Sequence, residues 1–316
     1  MTKPSPELIN MVSQLIATPS VSCVHPELDM SNEPVIDLLA NWLETSGFNV
    51  KKQLVNPGKY NLIATLGQGS DGLIFSGHTD TVPCDEALWQ SSPFKLTRRD
   101  DRYYGLGSCD MKSFIAMAIT ASQRFKAEQF THPLTIIATA DEETTMSGAR
   151  LLAENGKNLG RYCIIGEPTD LTPVREHKGI IMESIHFTGQ SGHSSDPSLG
   201  NSALEAMHEY IQQLLIYRGQ LQQQFRNSTF EVSTPTINLG HIHGGDNPNR
   251  ICGECELHID LRFLPGMNID ELREKIRSMA TEVASVRELQ VSFTALLMGV
   301  PAMHTDSHSQ LNEYLQ

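Results

Sequence analysis

Seven side chains in this sequence are the best equipped to do chemistry: His78, Asp80, Asp110, Asp141, Glu142, Glu143 and Glu167. They come from four separate segments. Three of those segments follow short apolar runs of strand character: Gly77-His78-Thr79-Asp80 after residues 72–76, Ala140-Asp141-Glu142-Glu143 after 134–139, and Gly166-Glu167-Pro168-Thr169 after 163–165. Ligands of open α/β sheets gather at the carboxyl ends of strands. Imidazole and carboxylate converging on one sheet edge is the layout of a metal site.

Each member also has a plainer reading. His78 and Asp80, two apart at a strand end, leave the same side of the chain. That suits a ligand imidazole with a carboxylate behind it to fix its tautomer, and equally a turn histidine beside a capping Asp. Asp110 stands where a helix begins, so it is either a carboxylate complementing the helix dipole or one bridging two ions. Asp141, Glu142 and Glu143 also precede a helix start near Ser147. After a buried-looking strand, three acids in a row carry a like-charge cost that two metal ions would remove.

The elements that must position these groups follow from periodicity. Helices are expected over residues 6–17, 32–46 (Pro34 in the first turn, Gly47 at the stop) and 111–125. With strands over 61–66, 72–76, 134–139 and 163–165, the alternation predicts a mostly parallel α/β sheet with helices on both faces. Beyond Gly179 the pattern changes. Strands over 180–188, 234–239, 250–263 and 289–297 and helices over 201–225 and 269–286 give the order βαββαβ, a small ferredoxin-like open sheet with two helices on one face. The expected division is 1–178 for the metal-binding domain and 179–298 for the second, inserted domain, with a return to the first at about 299–316.

Composition narrows the function. The chain has 316 residues, 24 Lys plus Arg against 37 Asp plus Glu, and a net charge of -13. Without a basic stripe it is a poor nucleic-acid binder, and no apolar stretch approaches the roughly 20 residues that span a bilayer. Residues 1–15 lack the form of a secretory signal. Six scattered cysteines favour reduced thiols and a cytoplasmic address. Cys252 and Cys255 form a C-x-x-C, but on a strand residues three apart point to opposite faces, so the two sulfurs are not expected to share a metal. Gly189-Gln190-Ser191-Gly192 is not a serine-hydrolase elbow, and Gly105-Leu106-Gly107 lacks the third glycine of a dinucleotide fingerprint. His241 and His243, two apart, could bind metal, but their place in the second domain favours lining a site or simple packing.

Taken together, Gly77-His78-Thr79-Asp80-Thr81-Val82-Pro83, the Gly105-to-Lys112 segment, Asp141-Glu142-Glu143 and Gly166-Glu167-Pro168-Thr169 resemble the M20 metallopeptidase family. Gly189 to Ser195, His241 to Asp246, Asn249-Arg250-Ile251 and Asp260 to Gly266 look like its branch that deacetylates N2-acetyl-L-ornithine. The resemblance runs from about Leu8 to about Leu296. It implies a zinc-peptidase-like fold and a metal-dependent amide hydrolase of arginine biosynthesis. Two zinc ions per subunit are implied, with cobalt or manganese suited to the same ligands, and a homodimer acting on a small N-acyl amino acid.

Residue by residue, the resemblance implies that His78 and Glu167 bind one metal, Asp110 bridges, and Glu143 binds the second. It makes Glu142 the general base and Asp80 the orienter of His78. His193, from a partner subunit, would hold the oxyanion, and Asn249 and Arg262 would face the substrate's carboxylate. The family's second metal also takes a histidine from a late segment. The last histidines here, His304 and His308, stand in a setting similar to the domain return instead, so a chain cut short of that ligand is expected. A deacylase of another substrate, such as succinyl-diaminopimelate, and an inactive metal-binding fragment are the alternatives.

Overall fold

The computed structural model describes residues 4–155 and 159–315. Met1–Lys3, at the head of the stretch tested for a signal, and Gln316 lie outside the described residues. The chain divides into two compact units, Met1–Thr172 and Pro173–Gln316.

The first unit contains α1 (Pro6–Ile16), α2 (Glu33–Thr45), β1 (Asn49–Asn56), β2 (Lys59–Leu66), β3 (Leu73–His78), β4 (Thr97–Arg99), β5 (Arg102–Tyr104), α3 (Lys112–Ser122), β6 (Leu134–Thr139), α4 (Ser147–Glu154) and β7 (Tyr162–Ile165). The main sheet has the order β1-β2-β6-β3-β7. β3 runs parallel to both β6 and β7, while β2 is antiparallel to β1 and β6. Four strands therefore share a direction and β2 alone opposes it, so the expected mostly parallel sheet is present. Pro6 opens α1 and Ser5 caps it through its Oγ, while Gly47, at φ 84°, ends α2. The Gly47 stop is the one read from the sequence, while the Ser5 cap adds a start signal that was not.

Leu62, Ala64, Leu66, Leu134, Ile136 and Ala138 pack on one face of this sheet with α1, α2 and α3 in a single core. On the opposite face Asn61 donates to the carbonyl of Gly148 in α4. Every residue of β6 is buried. That is why β6 reads as a mainly apolar run and not as an alternating one.

The second unit contains β8 (Glu176–His177), β9 (Gly179–Thr188), α5 (Ala203–Gln224), β10 (Thr236–Gly244), β11 (Glu254–Phe263), α6 (Ile269–Val286), β12 (Gln290–Val300), β13 (Met303–His304) and α7 (Gln310–Leu315). Its antiparallel sheet, β10-β11-β9-β12, completes the βαββαβ arrangement. Ile181, Ile185, Phe187, Leu257, Ile259 and Leu261 alternate onto the core face with α5 and α6. Ser202 caps α5 and Asn268 caps α6. The stretch after residue 298 clusters with this unit, where β13 pairs with β8.

The argument that set Cys252 and Cys255 on opposite faces does not hold. β11 begins only at Glu254, so Cys252 precedes the strand and is free of its alternation. Both thiols are buried in the same apolar cluster. They remain packing residues, for burial among hydrocarbon rather than for opposed directions.

Candidate metal centre

The strand order brings the carboxyl ends of β6, β3 and β7 side by side. His78 closes β3 opposite Thr139 of β6, and the chain continues into Asp80 on one side and Asp141 on the other. Glu167 follows β7 by two residues. Gly166 before it is fixed by space: a Cβ there would stand 2.0 Å from the Phe114 ring on α3. Asp110 arrives from the loop ahead of α3.

His78 is the hub. Its Nε2 lies 2.9 Å from Asp110 Oδ1, 3.7 Å from Glu167 Oε1 and 3.9 Å from Glu142 Oε2. Among the described residues, two sets of side chains gather closely enough to hold an ion: His78 with Asp110 and Glu167, and His78 with Glu142 and Glu143. Five of the six expected site residues of the first unit thus come together, and the sixth, Asp80, stands behind the imidazole ring. On the far side of the ring, Nδ1 lies 3.0 Å from the Asp80 backbone carbonyl and 3.7 Å from its Oδ1. The carbonyl is therefore the closer partner, a detail the H-x-D spacing does not reveal. Asp80 Oδ2 accepts the amide of Glu143 at 3.0 Å, whereas the buried Oδ1 has no hydrogen bond.

The charges explain what such a cluster suits. Burial, reinforced by Asp110, Glu142 and Glu143, pushes the Glu167 carboxyl up to about 7. Burial also raises Glu142, Glu143 and Asp80, against the opposing pull of His78. Burial depresses the His78 imidazole, but the surrounding carboxylates outweigh it and the net shift is upward. Protons are thus held where positive charge is short. A dication supplies that charge, and oxygen donors with one imidazole are a fitting set for zinc, cobalt or manganese. Beside the cluster lies a cavity of ≈ 260 Å³ lined by Thr81, Trp89, Leu106, Cys109, Asp110 and Glu143, among others.

Two lysines brace the site, and sequence reasoning missed what both do. Lys112 is buried, and its Nζ donates to the carbonyls of Leu15 at 3.1 Å and Thr18 at 2.8 Å, tying the start of α3 to the end of α1. Burial lowers its pKa to about 8, with the field of Asp80 opposing. Lys59 stands between two acids, 2.7 Å from Asp29 Oδ1 and 2.9 Å from Asp141 Oδ1. Ser22 and Ser147 also donate to the Asp141 carboxylate. The Asp141 carbonyl accepts the amides of Thr145 and Met146, closing the turn that carries Glu142 and Glu143. The only signal for Lys59 was indirect: an acid just after a mainly apolar strand calls for a cation from elsewhere in the chain.

This pair yields a measurable expectation. The Lys59 and Asp141 side chains are only 6% and 10% exposed. Removing one partner of such a buried pair costs about 3–5 kcal/mol. Lys59→Met is expected to lower thermal stability by that amount, and adding Asp141→Asn should recover much of it. A Lys59→Met protein as stable as the parent would show that the pair contributes nothing.

The remaining candidates lie in the second unit. His193 and Asn249 sit on neighbouring loops: His193 bridges to Arg250, and the amide of Ser194 donates to the Asn249 carbonyl at 3.0 Å. The exposed His193 ring is held by Ser195 Oγ at 2.7 Å. Arg262 on β11 is exposed, and both its Nε and an Nη bond Asp260, at 2.8 and 3.0 Å. A substrate carboxylate would have to share or displace that partner. His304 lies 3.2 Å from Glu176.

Residues 74–315 match the profile of Peptidase family M20/M25/M40. The chain is 48% identical over 298 residues to the acetylornithine deacetylase of Proteus mirabilis, covering 94% of this chain and 77% of that one. It is 48% identical over 278 residues to the acetylornithine deacetylase of Vibrio campbellii, covering 88% and 74%. Among solved structures, the M20 family metallo-carboxypeptidase Sso-CP2 of Sulfolobus solfataricus superimposes with a TM-score of 0.71 at 14% identity, covering 98% of this chain and 82% of that one. The Bacillus subtilis protein YXEP, described as a dinuclear metal binding peptidase, gives 0.60 at 18% identity, covering 95% and 75%.

Proposed function

This chain belongs to peptidase family M20/M25/M40, and we propose that it hydrolyses the amide of N2-acetyl-L-ornithine to acetate and L-ornithine. The observation that carries the chemistry is the hub at His78, with Asp110, Glu167 and Glu142 all within 3.9 Å of Nε2 at the mouths of three strands. The substrate follows from the two deacetylases of that name, each 48% identical to this chain.

In this reading His78 and Glu167 would hold one zinc ion, Glu143 would hold the other, and Asp110 would serve both. When bound, such ions acidify water and draw charge from the acyl oxygen. Asp80 fixes the imidazole. Glu142 takes the proton of the attacking water as its oxygen bonds to the acyl carbon, then delivers it to the departing amine as the C–N bond breaks. The raised pKa of Glu142 suits a group that must both accept and return a proton. His193 of a partner subunit donates to the acyl oxygen, and Asn249 and Arg262 bind the substrate's carboxylate end, a guanidinium being the better fork for it. The protein works as a cytoplasmic homodimer in arginine biosynthesis. No helix among the described residues is long and apolar enough to cross a membrane.

The test is ornithine release from N2-acetyl-L-ornithine by the zinc- or cobalt-loaded chain, run beside succinylated diaminopimelate. A kcat/KM at least 10-fold higher for the acetylated substrate is expected. Preference for the succinylated compound, or no release from either, would overturn the assignment.

A further inference from the structure

The sheet of the second unit has one face against α5 and α6 and an open one opposite. On the open face two successive rungs carry ligand-grade side chains. Across β10 and β11, His241 stands opposite His258, and His243 stands opposite Glu256. The neighbouring residues Cys255, Leu257 and Ile259 are buried in the core, so Glu256 and His258 point the other way. A register shift between Leu239 and His241 resets β10, and Ile242 then pairs with buried Leu257, leaving both histidines on the open face. Directly opposed residues have Cβ atoms about 4.5–5.5 Å apart. Three imidazoles and one carboxylate therefore share one face across two rungs, with ligand atoms that do not yet gather as tightly as those at the His78 hub and would close in by rotation of the exposed rings.

Part of the arrangement is already made. His258 Nε2 lies 3.2 Å from Glu256 Oε1. That is roughly the separation of two ligands on one tetrahedral ion with bonds of about 2.0–2.1 Å. Ser184, the β9 neighbour of His258, donates to Glu256 Oε1 at 2.5 Å. A hydrogen bond of this kind orients a ligand carboxylate. The His241 and His258 rings lie 4.7 Å apart between centroids. His241 and His243 are exposed, so either ring can turn towards the Glu256–His258 pair without disturbing packing.

We propose that His241, His243, His258 and Glu256 form a binding site for a zinc-class transition ion on the open sheet face of the second unit. None of the residues at the His78 hub takes part. Three imidazoles favour zinc, cobalt or nickel over magnesium or calcium, which take oxygen ligands. The bound ion would clip edge strand β10 to β11.

The test is zinc titration of the full chain by calorimetry, with metal content measured after desalting, on the parent and on His241→Ala/His243→Ala. Both replaced rings are exposed, so the core is untouched. The double variant is expected to retain one zinc fewer per chain. Glu256→Gln, with the protein still folded, should weaken that same zinc at least 10-fold. A His78→Ala chain should still show a difference of one zinc when the two β10 histidines are replaced, which separates this site from the strand-end one. Equal zinc content in the parent and the β10 double variant would overturn the proposal, whatever the strand-end site binds.

Discussion

Glu142→Gln is expected to lower kcat for N2-acetyl-L-ornithine by about 10²–10⁴-fold, the usual contribution of a general acid–base group, while metal content stays at the parent level. The reason is chemical: in the proposed mechanism Glu142, whose Oε2 stands 3.9 Å from His78 Nε2, serves as the base and not as a ligand. Glutamine keeps size and hydrogen bonding but can neither take a proton from water nor return it to an amine. Glu143→Gln should behave differently, losing metal and activity together. Elemental analysis of both variants beside their kinetics separates the roles. If Glu142→Gln lost its metal, Glu142 would be a ligand and the base would have to be sought elsewhere.

The second large effect concerns metal removal and pH. In the metal-free chain the folded Glu167 carboxyl titrates at about 7 rather than its ordinary 4.5. The folded state therefore binds the extra proton, and this contribution to stability is complete below about 4.5 and lost as pH rises through about 7. Glu142, Glu143 and Asp80 shift in the same direction. The raised His78 imidazole adds to the trend, since its contribution is also lost as it deprotonates. Stripped protein should thus show a Tm that falls between pH 5 and pH 8. Zinc at about 100 times its Kd adds about 2.7 kcal/mol, or about 5–10 °C in a domain of this size. Scanning calorimetry at both pH values decides the matter: a Tm that rises with pH without metal, or that ignores zinc at pH 8, would refute this account.

Much of this was legible in the sequence. The helices and the strands that build both cores had strong periodicity, and their bounds in the structure differ by a few residues. The strand ends carrying His78, Asp141 and Glu167 could be found because a polar cluster directly after an apolar run is rare and locally visible. Three kinds of feature were hidden. β1 (Asn49–Asn56) went unread because its burial alternates only between exposed and half-buried positions, so it carries little apolar signal. The C-x-x-C argument failed because a strand start moved by a few residues removes the alternation on which it rested. Lys59 and Asp29 were invisible because a long-range ion pair leaves no local periodic trace. It is set by which strands pair, and that is known only once the chain is folded.

Asp141 carries a consequence beyond the site it borders. Its φ is 54°, in the left-handed region that Asp, Asn and Gly tolerate far better than other residues. Its carboxylate also answers Lys59. An aspartate codon can become asparagine, glycine or glutamate by one base change. The first two keep the backbone and abandon the charge, and the third keeps the charge and pushes a longer side chain into an unfavourable backbone. Each single mutational step fails one of the two demands, so genetic drift at this position has no neutral exit unless position 59 changes as well.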